Sequence, residues 1–207
     1  EGIDNTAGHT CVWYEDGSIR CWGKNDNGQA GQDRIDADIG DGSDMGEALP
    51  VVNEQLHLPF EGRAAIQVAT GAETTCALLE NGRILCWGQS SALGLVHGEG
   101  QVVDLGAGRV ALQIAAGLDH YCALIEGGDV TCWGEGRHGQ LGRGSVNDVA
   151  WNEASDNSIL LGTGRRAVSI AAGGYSTCAV LDNGTGKCWG DNRAGMLGQG
   201  QEDNIGS

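Results

Sequence analysis

The sequence predicts an all-β protein built of small antiparallel sheets stacked as blades. Three observations predict it. One hairpin is written four times, as CVWYEDGSIRCWG (11–23), CALLENGRILCWG (76–88), CALIEGGDVTCWG (122–134) and CAVLDNGTGKCWG (178–190). Each copy sits among short runs rich in apolar and β-branched residues that Gly-rich turns separate. The chain carries 37 Gly in 207 residues against only 2 Pro and 1 Phe.

The hairpin comes first because its spacing fixes its geometry. Nine residues separate Cys11 from Cys21, so Asp16 is the midpoint and Trp13 faces Ile19, Val12 faces Arg20 and Cys11 faces Cys21. The loop is the triplet Glu15-Asp16-Gly17, and the other copies give Glu80-Asn81-Gly82, Glu126-Gly127-Gly128 and Asp182-Asn183-Gly184. A three-residue hairpin loop is a type I turn followed by one left-handed residue, the place where Gly costs least. If Tyr14 and Ser18 close the loop as a hydrogen-bonded pair, the cysteines fall at a non-hydrogen-bonded pair, where the strands come closest. That separation suits a disulfide. The expected bridges are Cys11–Cys21, Cys76–Cys86, Cys122–Cys132 and Cys178–Cys188. Buried free thiols and a metal site are the other readings of eight cysteines. Zinc sites bring cysteines in at closer spacing with further ligands nearby, which this chain lacks.

The strand before each hairpin is read from Ile3, Val68, Ile114 and Ile170, each eight positions before a first cysteine. Three copies there read VATGAETTC, IAAGLDHYC and IAAGGYSTC, and the first is the degraded IDNTAGHTC. After the second cysteine comes Trp-Gly, at Trp22, Trp87, Trp133 and Trp189. Three copies continue into a Gly-rich turn, NGQAG (27–31), HGQLG (138–142) and AGMLG (194–198), while the second shortens to SALG (91–94). Connectors with a further strand and a Gly-Arg follow at 58–68, 102–114 and 159–170. Each unit thus offers about four strands, and such units stack as a propeller. The repeats run over about 1–48, 49–101, 102–157 and 158–207, as one repeat domain over 1–207.

The segment from Ile114 to Gly142 resembles the RCC1-like repeat family, in the cysteine-containing form common in exported bacterial proteins. The resemblance covers most of the chain in four copies. It implies β-propeller blades, and the four Trp-Gly tryptophans, each at one repeated place after a cysteine, read as packing between them. The family usually closes a ring of seven. One plant relative senses light through tryptophans, but here each Trp follows a cysteine at one repeated place, which reads as packing.

Four hairpins but three connectors leave the last blade short of an outer strand near QEDNIGS (201–207), where a fourth connector would start. A free edge templates another chain, and a head-to-tail contact gives a filament or, if it closes, a ring. The expected contact joins residues 1–5 of one copy to residues 189–207 of the next. The other reading is an excerpt of a longer propeller.

Composition excludes further classes. Acidic residues outnumber basic ones 28 to 12, a net charge of −16, which opposes binding to phosphate backbones or anionic lipid. No apolar run reaches membrane-spanning length, and Glu1-Gly2-Ile3-Asp4 is no signal peptide. Persistent disulfides imply an oxidising compartment, so a secreted or extracellular chain is expected.

Little else suggests chemistry. The stretch 32–48 carries Asp36, Asp38, Asp41 and Asp44 and could hold calcium, though Asp41 stands where an EF-hand loop counted from Asp36 needs Gly. A solvated loop is the preferred reading. His9 and His120 stand two before a first cysteine, where packing or hydrogen bonding is expected rather than catalysis. Asn183-Gly184-Thr185 is a glycosylation acceptor pattern at a hairpin tip. No catalytic motif stands out, and no cofactor is expected. Members of the family range over nucleotide exchange on a GTPase, chromatin binding, light sensing and inhibition of a secreted β-lactamase, and fold does not choose among these. The expected function is a non-enzymatic extracellular structural or interaction protein that binds copies of itself through blade edges. The alternative is a fragment of a secreted propeller that binds a protein or glycan.

Overall fold

The computed structural model describes residues 1–6, 8–32, 38–40, 49–52, 62–95, 100–156, 158–198, 200 and 202–206. The chain forms two compact units, Glu1–Val103 and Asp104–Ser207. Each holds two antiparallel sheets, and each sheet is one copy of the repeat.

In the first unit, β1 (Gly2–Thr6), β2 (His9–Trp13) and β3 (Ile19–Gly23) make the first blade in that order. The second blade is β4 (Ala65–Thr70), β5 (Thr74–Leu79), β6 (Ile84–Gly88) and β7 (Gln101–Val102). In the second unit, β8 (Ala111–Ala116), β9 (His120–Ile125) and β10 (Val130–Gly134) make the third blade. A 3₁₀ helix, Trp151–Asp156, follows it. The fourth blade is β11 (Ala167–Gly173), β12 (Ser176–Leu181) and β13 (Gly186–Gly190).

The hairpin register is the one the spacing dictates. Trp13 faces Ile19, Val12 faces Arg20 and Cys11 faces Cys21, and the Tyr14 N–H donates to Ser18 O at 3.0 Å to close the loop. The cysteines therefore fall at the close pairs, with Cα separations of 4.2, 4.0, 4.1 and 4.0 Å, and all eight are bridged within their own hairpins. The third loop residue is left-handed in every copy, at Gly17, Gly82, Gly128 and Gly184.

The glycine after each tryptophan has a second reason. Gly23, Gly88 and Gly190 lie near φ +100°, and a Cβ there would stand 2.4, 2.4 and 2.3 Å from the backbone oxygen of Gly8, Glu73 or Tyr175. The same oxygens accept the N–H of the next residue, Lys24, Gln89 or Asp191. No side chain fits where the two backbones close on each other, so Trp-Gly is written four times.

Connectors complete the preceding blade: β7 pairs with β6, and Ser158 bridges Thr131 on the outer edge of β10. The end of the chain departs from the expected start of a connector. Ile205 bridges Gly190 as Val149 bridges Gly134, and Asn204 Oδ1 accepts the Asn192 N–H at 3.0 Å as Asp148 Oδ1 accepts that of Gly136 at 2.9 Å. Residues 202–206 are thus the return loop of the fourth blade, since their Asn and Ile can satisfy the same backbone groups that Asp148 and Val149 satisfy in the third.

Candidate functional site: the blade-to-blade interface

Within each unit the same four residue types join one blade to the next. In the first unit Gln29, in the NGQAG turn, bends its side chain back so that Oε1 accepts the Asn27 N–H at 2.9 Å. This fixes the turn and aims the Gln29 carbonyl at the second blade, where it accepts Thr75 Oγ1–H at 2.8 Å and Trp87 Nε1–H at 3.0 Å. His9 Nε2 lies 2.7 Å from the same Thr75 oxygen. Thr75 has spent its one hydrogen on Gln29, so the histidine donates and its proton is on Nε2.

The second unit repeats this residue for residue. Gln140 Oε1 accepts the His138 N–H at 2.8 Å, and the Gln140 carbonyl accepts Thr177 Oγ1–H at 3.1 Å and Trp189 Nε1–H at 2.8 Å. His120 Nε2 donates to Thr177 Oγ1 at 2.8 Å. All members are buried. Burial pushes His9 down from 6.5 to about 4, with Asp4 opposing and Lys24 adding to the shift, and pushes His120 down to about 3. Both rings are neutral at pH 7, and neither Nδ1 has a hydrogen-bond partner among the described residues.

Apolar packing surrounds the first network. Cys11, Ile19, Cys21, Val68, Ala77, Leu79 and Trp87 share one buried cluster in the first unit, so the disulfide is itself interface. Trp87, Trp133 and Trp189 are buried, and Trp22 is half-buried. Tyr121 replaces the threonine beside Trp133 and stacks on it with centroids 6.0 Å apart, while Trp133 Nε1 has no partner among the described residues.

Among the described residues, two blade faces carry apolar side chains that are exposed here and buried at the matching positions of other blades. Ile3 occupies the register position of Val68, Ile114 and Ile170, opposite the residue after the first cysteine, yet it is 65% exposed where they are at most 3%. It lies with Thr10 and Trp22, the counterparts of Thr75 and Trp87, on the leading face of the first blade. On the trailing face of the fourth, Val180 is 47% exposed where its counterparts Leu78 and Leu124 are 0% and 6%. That face carries Ser176 and the exposed Met196 in place of histidine and glutamine.

The remaining candidates are placed as follows. Asp38 is exposed, and Asp36, Asp41 and Asp44 lie outside the described residues. Asn183 is exposed at its hairpin tip, where Oδ1 accepts Thr185 N–H at 3.1 Å and Oγ1–H at 2.8 Å. The roles of the glutamine carbonyl and the threonine hydroxyl escaped sequence reasoning. Their signal is that His and Gly-Gln occur together in copies one and three, and each following copy has Thr before its first cysteine.

Solved structures with this fold include human WBSCR16, 20% identical over 99% of the chain with a TM-score of 0.79. Yeast RCC1 (Prp20), solved bound to Kap60, is 23% identical over 99% with a TM-score of 0.74. The ectodomain of the Physcomitrella patens receptor kinase CR4 is 21% identical over 97% with a TM-score of 0.57. The chain spans 51, 47 and 44% of those chains, about half their length. The family model for the regulator of chromosome condensation (RCC1) repeat matches residues 7–29, 65–92, 112–140 and 167–195, one per blade. The chain belongs to the RCC1-repeat family, and its four sheets are RCC1-type propeller blades.

Proposed function

We propose that the protein is a non-enzymatic interaction module of the extracellular space that associates through its open blade faces. The leading face of one copy's first blade docks on the trailing face of another copy's fourth blade, a heterologous contact that builds a filament or, on closing, a ring. One observation carries this reading: Ile3 and Val180 stand exposed at the register positions that are buried in the second and third blades. Four disulfides fit an oxidising compartment, and among the described residues no helix is long and apolar enough to cross a membrane.

A second reading is favoured by the span of about half of the matched chains. In it the same faces are covered by further blades of a longer propeller, which binds an extracellular protein or glycan. Yeast Prp20 has been studied for its binding to Gsp1p and histones, and a partner protein is the corresponding expectation here. Mass spectrometry and light scattering on natively isolated material separate the readings. A 21.4 kDa polypeptide found in large assemblies supports the first, a longer polypeptide supports the second, and a stable 21.4 kDa monomer refutes the first.

A further inference from the structure

We propose that the two histidine networks are acid-released clasps, which hold the first blade to the second and the third to the fourth at neutral pH and let go when His9 and His120 are protonated. The geometry starts from the hydrogen inventory. Each threonine gives its single hydrogen to a glutamine carbonyl, so each imidazole must hold its proton on Nε2 and present a bare Nδ1. Both Nδ1 atoms are buried without a partner among the described residues. At His120 the reason is visible: a Cβ on Gly117 would lie 2.4 Å from Nδ1 and 2.1 Å from Cε1, so the ring edge rests directly on the glycine backbone. A proton added at Nδ1 would create a buried cation whose new N–H meets no acceptor among the described residues, which is costly in an apolar interface. Separating the blades puts that N–H in water.

The surrounding charges leave this intact. His9 feels Asp4 on β1, which favours protonation, and Lys24 beyond β3, which opposes it, and burial outweighs both. The strand facing it, β5, brings Thr75 and no charge to the network. Burial alone sets His120. Its neighbour Asp119 is pushed up by burial and by Glu135, with Arg137 opposing, and the facing strand β12 brings Thr177.

The folded values of about 4 and about 3 lie below the ordinary 6.5. The open state therefore takes up the proton first as pH falls. The clasps are complete above about pH 6.5 and weaken progressively toward pH 4 and pH 3. At pH 5 linkage favours opening of each by about thirtyfold over pH 8. The closed clasp also covers the Cys11–Cys21 bridge and Trp87, so opening would expose apolar surface in acid.

The test is hydrogen exchange of the oxidised 207-residue chain at pH 7.5 and 5.0, corrected for intrinsic rates, followed in peptides covering 65–79 and 167–181. Wild type should open about thirtyfold more at pH 5. H9Q/H120Q, whose amides can still donate to the threonines but do not titrate, should rise less than about threefold. An equal rise in both proteins, or none in wild type, overturns the proposal. If the double variant does not fold at pH 7.5, ¹⁵N spectra of the wild-type histidines decide. Two neutral rings protonated on Nε2 down to pH 5 support the clasps; Nδ1–H tautomers, or both rings titrating near pH 6.5, refute them.

Discussion

Two glycines at the same place in the same turn offer a direct measure of what blade docking contributes. Gly17 and Gly184 each fill the third position of a hairpin loop and share φ +81°. A Cβ on Gly184 meets nothing within 4 Å, whereas one on Gly17 would stand 2.5 Å from Ala64 Cα and 2.6 Å from Ala64 Cβ on the second blade. In Gly184→Ala the loss is the left-handed strain of an alanine, about 1 kcal/mol. Gly17→Ala carries that strain and an overlap of about 1 Å against carbon contacts that rest at about 3.5–4.0 Å. The hairpin tip or the entry to β4 must move, and such overpacking costs about 1–3 kcal/mol. The excess of Gly17→Ala over Gly184→Ala should be about 2 kcal/mol. For a unit of this size that is roughly 10 °C in Tm. Differential scanning calorimetry of the oxidised proteins reads it. Equal losses in the two variants would show that the first hairpin does not press on the second blade, and the interface described above would be wrong.

Other outcomes follow from the same contacts. Trp189→Phe removes the 2.8 Å bond to the Gln140 carbonyl and should cost about 1 kcal/mol more than Trp133→Phe, whose indole N–H has no partner to lose among the described residues; denaturation midpoints compare them. Non-reducing peptide mapping should return four bridges, each within one hairpin, and any bridge between repeats would contradict the blade register. Calcium should leave the melting temperature unchanged beyond what magnesium does; a chelator-sensitive shift specific to calcium would instead make ligands of Asp36, Asp38, Asp41 and Asp44.

The hairpins were legible in sequence because their constraint is local. A ten-residue cysteine spacing and a Gly in the loop's third place admit one register, and Cys11 faces Cys21 accordingly. The Trp-Gly pair was legible as a repeat but not as a cause, since the approach of Gly190 to the Tyr175 carbonyl joins residues 15 apart along the chain. The clasp was harder still. Its acceptor is a backbone carbonyl, identical in every residue, and only the side chain of Gln29 binding back to Asn27 selects that carbonyl. The tail misled for a related reason. QEDNIGS lacks the Gly-Arg of a connector, and what identifies it as a return loop is the match of Asn204 and Ile205 to Asp148 and Val149, a pairing no spacing rule announces.

The claim that these blades associate through their open faces is tested most directly by sedimentation equilibrium of the oxidised chain at concentrations up to about 100 μM, alongside Ile3→Asp. Ile3 is 65% exposed, so the substitution leaves the fold intact and places a charge on the leading face. The wild-type mass should rise with concentration above 21.4 kDa while the variant stays monomeric. A wild-type chain that remains at 21.4 kDa throughout, or a variant that associates equally well, would contradict the account.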